Sequence, residues 1–272
     1  MITKVLITGD IHGAVERRLN YIQSAFDALD PAQTAIIMLG DVGLNYYKSK
    51  RDWKTKHWAS RFGYTLYCLR GNHEDRPSNC KNMEKIYDEF VHGYVWVEKD
   101  FPLIRYFEDG VAEYEIMGKS VLCIPGAYSV DKWHRLKNDW IWFAGEQLTA
   151  EEMKEAEQTF ANKHYDFVFS HTAPIAWEPY DLFLGCIDQS TVDKSMEVWM
   201  DKFKEMISWD CWCFGHFHAD RLERPYVEQF YYEVEELDTV FERWQKYHKT
   251  GELSWWLPKS PNFYMDVPKE ES

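Results

Sequence analysis

Ile2-Thr3-Lys4-Val5-Leu6-Ile7-Thr8, followed by Gly9-Asp10-Ile11-His12-Gly13, is the stretch on which the fold turns. The opening run is rich in β-branched and aliphatic side chains, which favour an extended strand, and the glycine after it ends that strand. Asp10 and His12 then stand two residues apart where strand becomes loop. That spacing lets both side chains point the same way and grip one cation together.

The same rhythm continues outward. Ala14–Leu29 reads as an amphipathic helix, Thr34–Leu39 as a strand ending in Gly40-Asp41, and Asp52–Phe62 as a helix. Thr65–Leu69 reads as a strand ending in Gly71-Asn72-His73-Glu74. Alternating apolar runs and amphipathic segments of these lengths predict parallel β-α-β units, whose ligands gather in loops beyond the carboxyl ends of the strands. The middle changes character: Tyr94–Val97, Pro102–Tyr106, Ala112–Ile116 and Ser120–Ile124 are short strands divided by turn residues, as in an antiparallel addition or a second sheet. Helical periodicity returns at Ala150–Asn162 and Asp193–Met206. Strands follow at Phe167–Phe169 and Trp212–Phe214, beside two more polar clusters, Ser170-His171 and Gly215-His216-Phe217-His218.

At 272 residues the chain is expected to form one domain over 1–272, with an insertion around 126–145 and an aromatic, acidic extension from about residue 225. Trp255 and Trp256 are expected to pack on the body, and the polar end after Pro268 to be disordered. The first apolar run leads straight into Gly9-Asp10, without a cleavage pattern and far short of the roughly 20 apolar residues of a membrane span. A soluble, cytoplasmic protein with no membrane partner is the expectation. Six cysteines are scattered through mostly apolar segments and fit neither a zinc-knuckle nor a disulfide spacing, which predicts reduced, buried thiols. The net charge of −14, with no basic stripe, argues against long nucleic acid and anionic membranes as partners. A small phosphorylated substrate stays compatible, because bound cations reverse the field locally.

The clusters supply a consistent donor set. Asp41 opens a loop and can bridge two cations with its two oxygens; Asn72 offers a neutral carbonyl oxygen; His171, His216 and His218 add imidazole nitrogens. Mixed carboxylate, amide and imidazole donors suit Mn, Fe or Zn, with Mn²⁺ favoured here, whereas an all-oxygen cage would suggest Mg or Ca. Two such ions about 3.5–4 Å apart would hold a bridging hydroxide in line with phosphorus and stabilise charge on the phosphoryl oxygens.

These five clusters, in this order, resemble the calcineurin-like metallophosphoesterase family across about three quarters of the chain, from Asp10 to His218. The resemblance implies a four-layer α/β/β/α sandwich of two mixed β-sheets flanked by helices. It implies a first metal held by Asp10, His12, Asp41 and His218, and a second held by Asp41, Asn72, His171 and His216. It also implies that His73 stabilises developing charge or protonates the leaving oxygen while a metal-bridging hydroxide attacks a phosphate mono- or diester.

Departures narrow the substrate. Protein phosphatases continue the second cluster as Gly-Asp-x-x-Asp-Arg-Gly, where this chain has Leu44 and Asn45. His73 therefore lacks that orienting aspartate and the phosphate lacks that arginine, which disfavours a Ser/Thr protein phosphatase. Gly126-Ala127-Tyr128-Ser129-Val130-Asp131-Lys132 is similar to a segment of small bacterial and phage-type members, and Arg135, with His134 as a second candidate, is expected to reach the phosphate from it. Glu74 is expected to cap a helix starting near Pro77 or to orient its neighbours. His57, His92, His164 and His248 read as exposed or locally bonded. Trp133, Trp140 and Trp142 read as packing between sheet and helices, or else as a pocket wall. Two function classes remain: a dinuclear phosphoesterase (mono- or diesterase, nuclease or small-nucleotide hydrolase) and a catalytically idle binding module on the same fold. The second usually goes with eroded ligands, and here none is missing.

Overall fold

The computed structural model describes residues 1–26, 28–223 and 226–252. The amino-terminal half forms strand β1 (Lys4–Thr8), helix α1 (Val15–Ala25), β2 (Thr34–Met38), α2 (Lys50–Arg61) and β3 (Thr65–Cys68), followed by β4 (Met83–Asp88), β5 (Gly93–Glu98) and β6 (Ile104–Tyr106). Then come β7 (Ala112–Ile116), β8 (Lys119–Ile124), α3 (Lys132–Lys137), α4 (Ala150–Phe160), β9 (His164–Ser170), α5 (Ser195–Phe203) and β10 (Ser208–Phe214). Short β11 (Arg221–Glu223), β12 (Val227–Gln229) and β13 (Val234–Glu236) lead into α6 (Leu237–Thr250).

Two sheets result, in the orders β13-β1-β2-β3-β6-β5-β4 and β11-β12-β10-β9-β8-β7. The β1-β2-β3-β6 and β8-β9-β10-β12 runs are parallel, and the remaining pairings are antiparallel, so both sheets are mixed. Alternation along each strand builds the layers. Val5, Ile7 and Ile37 face Phe167, Phe169, Cys211 and Cys213 in the core between the sheets. Leu6, Ile36 and Leu66 point the other way and meet Leu19 and Ile22 of α1 and Ala59 of α2. Across the molecule, Leu122, Val168 and Trp212 pack on Phe160 of α4 and on Met200 and Phe203 of α5. This is the expected four-layer α/β/β/α sandwich. Every residue of β2 is buried, which explains why Thr34–Met38 reads as a continuous apolar run and not as an alternating one.

Several elements were not foreseen. β4 adds an antiparallel edge strand, and β13 covers the free edge of β1. The expected helix near Pro77 is a single 3₁₀ turn, Pro77–Asn79. The acidic extension supplies α6, whose Leu237, Val240 and Phe241 close the core between the sheets. Trp255, Trp256 and the polar end lie outside the described residues. Trp133 and Trp140 are exposed, which corrects the expectation that they fill the interior. All six cysteines are free; Cys211 and Cys213 are buried in the core, whereas Cys186 is exposed. Among the described residues no helix is long and apolar enough to cross a membrane.

Candidate metal centre

The loops after β1, β2, β3, β9 and β10 converge, and their backbones are unusual. His12, Asp41, His216 and His218 all adopt left-handed conformations, with φ of 44°, 47°, 67° and 52°. Non-glycine residues persist there only where surroundings over-determine them, a condition that clusters at functional sites. The glycines beside them let opposing loops meet. A Cβ on Gly40 would lie 2.0 Å from Nδ1 of His171, and one on Gly215 would lie 2.3 Å from Oδ1 of Asp10.

Asp10, His12 and His218 form one donor group, with His12 Nε2 and His218 Nε2 2.8 Å apart and Asp10 Oδ2 3.4 Å from His218 Nε2. Asp41 and His171 lie beside Asn72 in a second group: His171 Nε2 is 3.0 Å from Asn72 Oδ1 and 3.5 Å from Asp41 Oδ1. Asp41 lies between the two, its Oδ2 4.0 Å from the other ring nitrogen of His12, Nδ1. His216 donates its backbone N–H to both oxygens of Asp10, at 3.0 and 3.2 Å, and its ring stands 5.1 Å from that of His171. Donors held about 2.0–2.2 Å from one divalent ion at right angles lie roughly 3 Å apart, so both groups fit cations with imidazole and oxygen ligands. The structure thus brings six of the seven metal-ligand candidates into these two groups, with the His216 ring beside that of His171.

Charge in the centre is strongly coupled. Burial disfavours the charged form of His171, yet Asp41 and Asp10 outweigh it and raise its pKa to about 9. Burial likewise opposes ionisation of Asp10 and Asp41, but the neighbouring histidines hold both carboxyls below their usual value. Burial, with His171 nearby, drives His216 down to about 3, which leaves it neutral.

His73 donates its backbone N–H to Asp41 Oδ1 at 2.8 Å, which ties it to the shared carboxylate. Its ring lies parallel to Tyr46, 6.2 Å away, and its two nitrogens are 3.4 and 3.3 Å from Nη2 of Arg135. Arg135 is itself fixed: Nε donates to both oxygens of Asp131, at 2.8 and 2.7 Å, and Nη1 donates to the Tyr46 hydroxyl at 2.8 Å. Burial lowers the His73 pKa, and His12 and Arg135 lower it further against the pull of Asp41. His134 is exposed and stands edge-on to Trp140, outside the group around His73.

Surrounding residues hold the loops, and the sequence singled out few of them. Glu74 accepts from the N–H groups of Gly43 at 2.6 Å and Leu44 at 3.3 Å, so it orients the loop of Asp41 and caps no helix. Burial raises its carboxyl to about 7. Arg70 is buried and donates to the carbonyls of Gly145 at 3.1 Å and Glu146 at 2.7 Å, which stitches the segment between β8 and α4 to the end of β3. Tyr231 stacks on His218 with centroids 4.6 Å apart. At the opposite ends of β9 and β10, His164 lies 3.4 Å from Asp210 and 2.9 Å from the Ser208 hydroxyl, a locally bonded histidine as read from the sequence.

The family model for calcineurin-like phosphoesterases matches residues 3–220. No curated protein sequence matches the chain. Among solved structures, the phosphopantetheinyl hydrolase PptH from Mycobacterium tuberculosis aligns at 13% identity and a TM-score of 0.40, over 97% of this chain and 98% of that one. A protein of unknown function from Aquifex aeolicus, AQ665, aligns at 13% identity and a TM-score of 0.27, over 62% of this chain and 80% of that one. With residues 3–220 matched by the family model, the chain belongs to the calcineurin-like phosphoesterase family.

Proposed function

We propose that this protein hydrolyses a small phosphate ester at a two-metal centre, with water attacking phosphorus directly and His73 assisting departure of the ester oxygen. The observation that carries this reading is the overlap of the donor group Asp10, His12 and His218 with the donor group Asp10, Asp41 and His171, with His73 anchored on the Asp41 carboxylate. Asp10, His12, Asp41 and His218 would hold one cation, and Asp41, Asn72, His171 and His216 the other. Such ions, when bound, supply an activated water at neutral pH and offset charge on the phosphoryl oxygens.

The chain's own groups do the rest. Arg135 Nη2 lies nearly equidistant from the two ring nitrogens of His73, so the guanidinium flanks the ring and places a positive charge beside it. That charge disfavours an imidazolium. His73 therefore acts as a neutral donor toward the negative charge that develops on the leaving oxygen, a preorganised hydrogen bond of the oxyanion type. Arg135 takes the place of the missing orienting aspartate, and Tyr46 and Asp131 hold it there.

The test is hydrolysis of matched nitrophenyl phosphate mono- and diesters by Mn²⁺-reconstituted, chelated and His73→Ala protein. Metal-dependent turnover that drops by orders of magnitude in His73→Ala supports the reading, and the preferred ester separates phosphatase from phosphodiesterase. Full metal occupancy with turnover on neither ester would favour the binding module.

A further inference from the structure

We infer that Ser129 and Glu146, both from the segment between β8 and α4, form a relay that fixes the side-chain amide of Asn72 with its oxygen toward His171. That segment would thereby set the strength of one cation site. This rests on Asn72 being a ligand of that site.

An asparagine amide is nearly symmetric in shape, but only its oxygen can bind a cation; the NH₂ end cannot. Something must choose between the two orientations. Here Nδ2 of Asn72 donates to the Ser129 hydroxyl at 2.9 Å. A hydroxyl can donate or accept, so this contact sets the amide only if the serine hydrogen is committed elsewhere. Glu146 commits it: Oε2 accepts from Ser129 Oγ at 2.6 Å and from Trp142 Nε1 at 2.8 Å, while Oε1 accepts the Ser129 backbone N–H at 3.2 Å.

The chain of polarity then runs one way. Glu146 accepts, Ser129 donates to it and accepts from Asn72, and the Asn72 oxygen is left 3.0 Å from His171 Nε2. Asn72, Ser129 and Glu146 are all buried, so water is poorly placed to substitute for a lost partner. Flipping the amide would set its oxygen against the lone pairs of Ser129 and its NH₂ against the metal position. The relay is held in register with the ligand by Arg70, whose guanidinium bonds the Glu146 carbonyl and whose own carbonyl accepts the Gly126 N–H at 2.8 Å.

Neither Ser129 nor Glu146 touches substrate or metal; both are positioning residues. Loss of outer partners of this kind typically weakens metal binding by about 10–100-fold. The measurement is Mn²⁺ binding to the full chain, followed by the electron paramagnetic resonance signal of free Mn²⁺, with circular dichroism as the check on folding. Ser129→Ala and Glu146→Gln should each weaken one site by roughly tenfold or more and spare the other. Asn72→Ala should weaken the same site, and Ser129→Ala should add nothing in the Asn72→Ala background. Ser129→Thr, which keeps the hydroxyl, should stay near wild type, and it decides with Glu146→Gln if Ser129→Ala does not fold. Weakening by Asn72→Ala but not by the two relay variants would overturn the relay alone. No effect of Asn72→Ala would remove the ligand assignment and the relay with it. Equal weakening of both sites by the relay variants would reduce their role to general packing.

Discussion

His171 donates its Nδ1 hydrogen to the carbonyl oxygen of Leu39 at 2.8 Å, and that bond decides which nitrogen faces the candidate metal site. Nε2 is left toward Asn72 and Asp41, where it can carry a proton or a cation but not both.

Metal uptake should therefore release a proton from His171. Its pKa is raised to about 9, so without metal the protonated form stabilises the fold fully below about 6.5, and this contribution is lost as pH rises through about 9. Metal affinity should move the opposite way, falling as pH drops below about 9. Calorimetric titration with Mn²⁺ in two buffers of different ionisation enthalpy reads the released proton directly. Equal heats in both buffers near neutral pH would contradict the assignment.

Gly40→Ala should separate the centre from the fold. The new methyl would lie 2.0 Å from His171 Nδ1 and would also force a side chain onto a residue with φ of +103°. We expect a lower melting temperature and loss of metal from the site of His171, while the far-ultraviolet circular dichroism keeps its shape. A Gly40→Ala protein that binds metal as wild type does would show that the close approach is not needed.

Arg135→Ala should lower kcat by roughly 10–100-fold with a smaller change in KM, because the guanidinium acts through His73. Removing its charge should also shift the acidic limb of the kcat profile upward, since Arg135 helps to hold the His73 pKa down. A rise in KM alone would instead assign Arg135 to direct binding of the phosphate.

Much of this was legible in the sequence because two periodicities and five polar clusters point the same way. β1, β2 and β3 end within a residue of their expected ends, and each carries its candidate ligands just beyond, as parallel strands favour. What the sequence hid is what tertiary context decides. β11, β12 and β13 are only three residues long, too short to show a period, and α6 gains its place from packing Leu237, Val240 and Phe241 into a core assembled from distant strands. Ser129 lay in a segment already singled out, yet its partner Glu146 carries no local signal, since their contact spans 17 residues. Arg135 was expected from its segment to reach the phosphate, whereas its position against His73 depends on Asp131 and Tyr46.

Stability should decline with pH through Glu197 of α5. Its Oε1 accepts from the Thr172 hydroxyl at 2.9 Å, and Oε2 has no hydrogen-bond partner among the described residues. Burial raises its pKa from 4.5 to about 7, so the folded state favours the protonated acid. Its contribution is fully present below about 4.5 and is lost as pH rises through about 7, on the order of 3 kcal/mol in all. Urea midpoints measured across that window should slope downward in wild type and flatten in Glu197→Gln. Parallel slopes would rule out this residue as the source.

Metal content and turnover measured on the same samples are the sharpest check on a two-metal centre built on a shared Asp41. Wild-type protein reconstituted with Mn²⁺ should hold two equivalents per chain and hydrolyse a nitrophenyl phosphate ester, and Asp41→Asn should lose both affinity and turnover while remaining folded. A single equivalent in active wild-type protein, or full activity in Asp41→Asn, would contradict it.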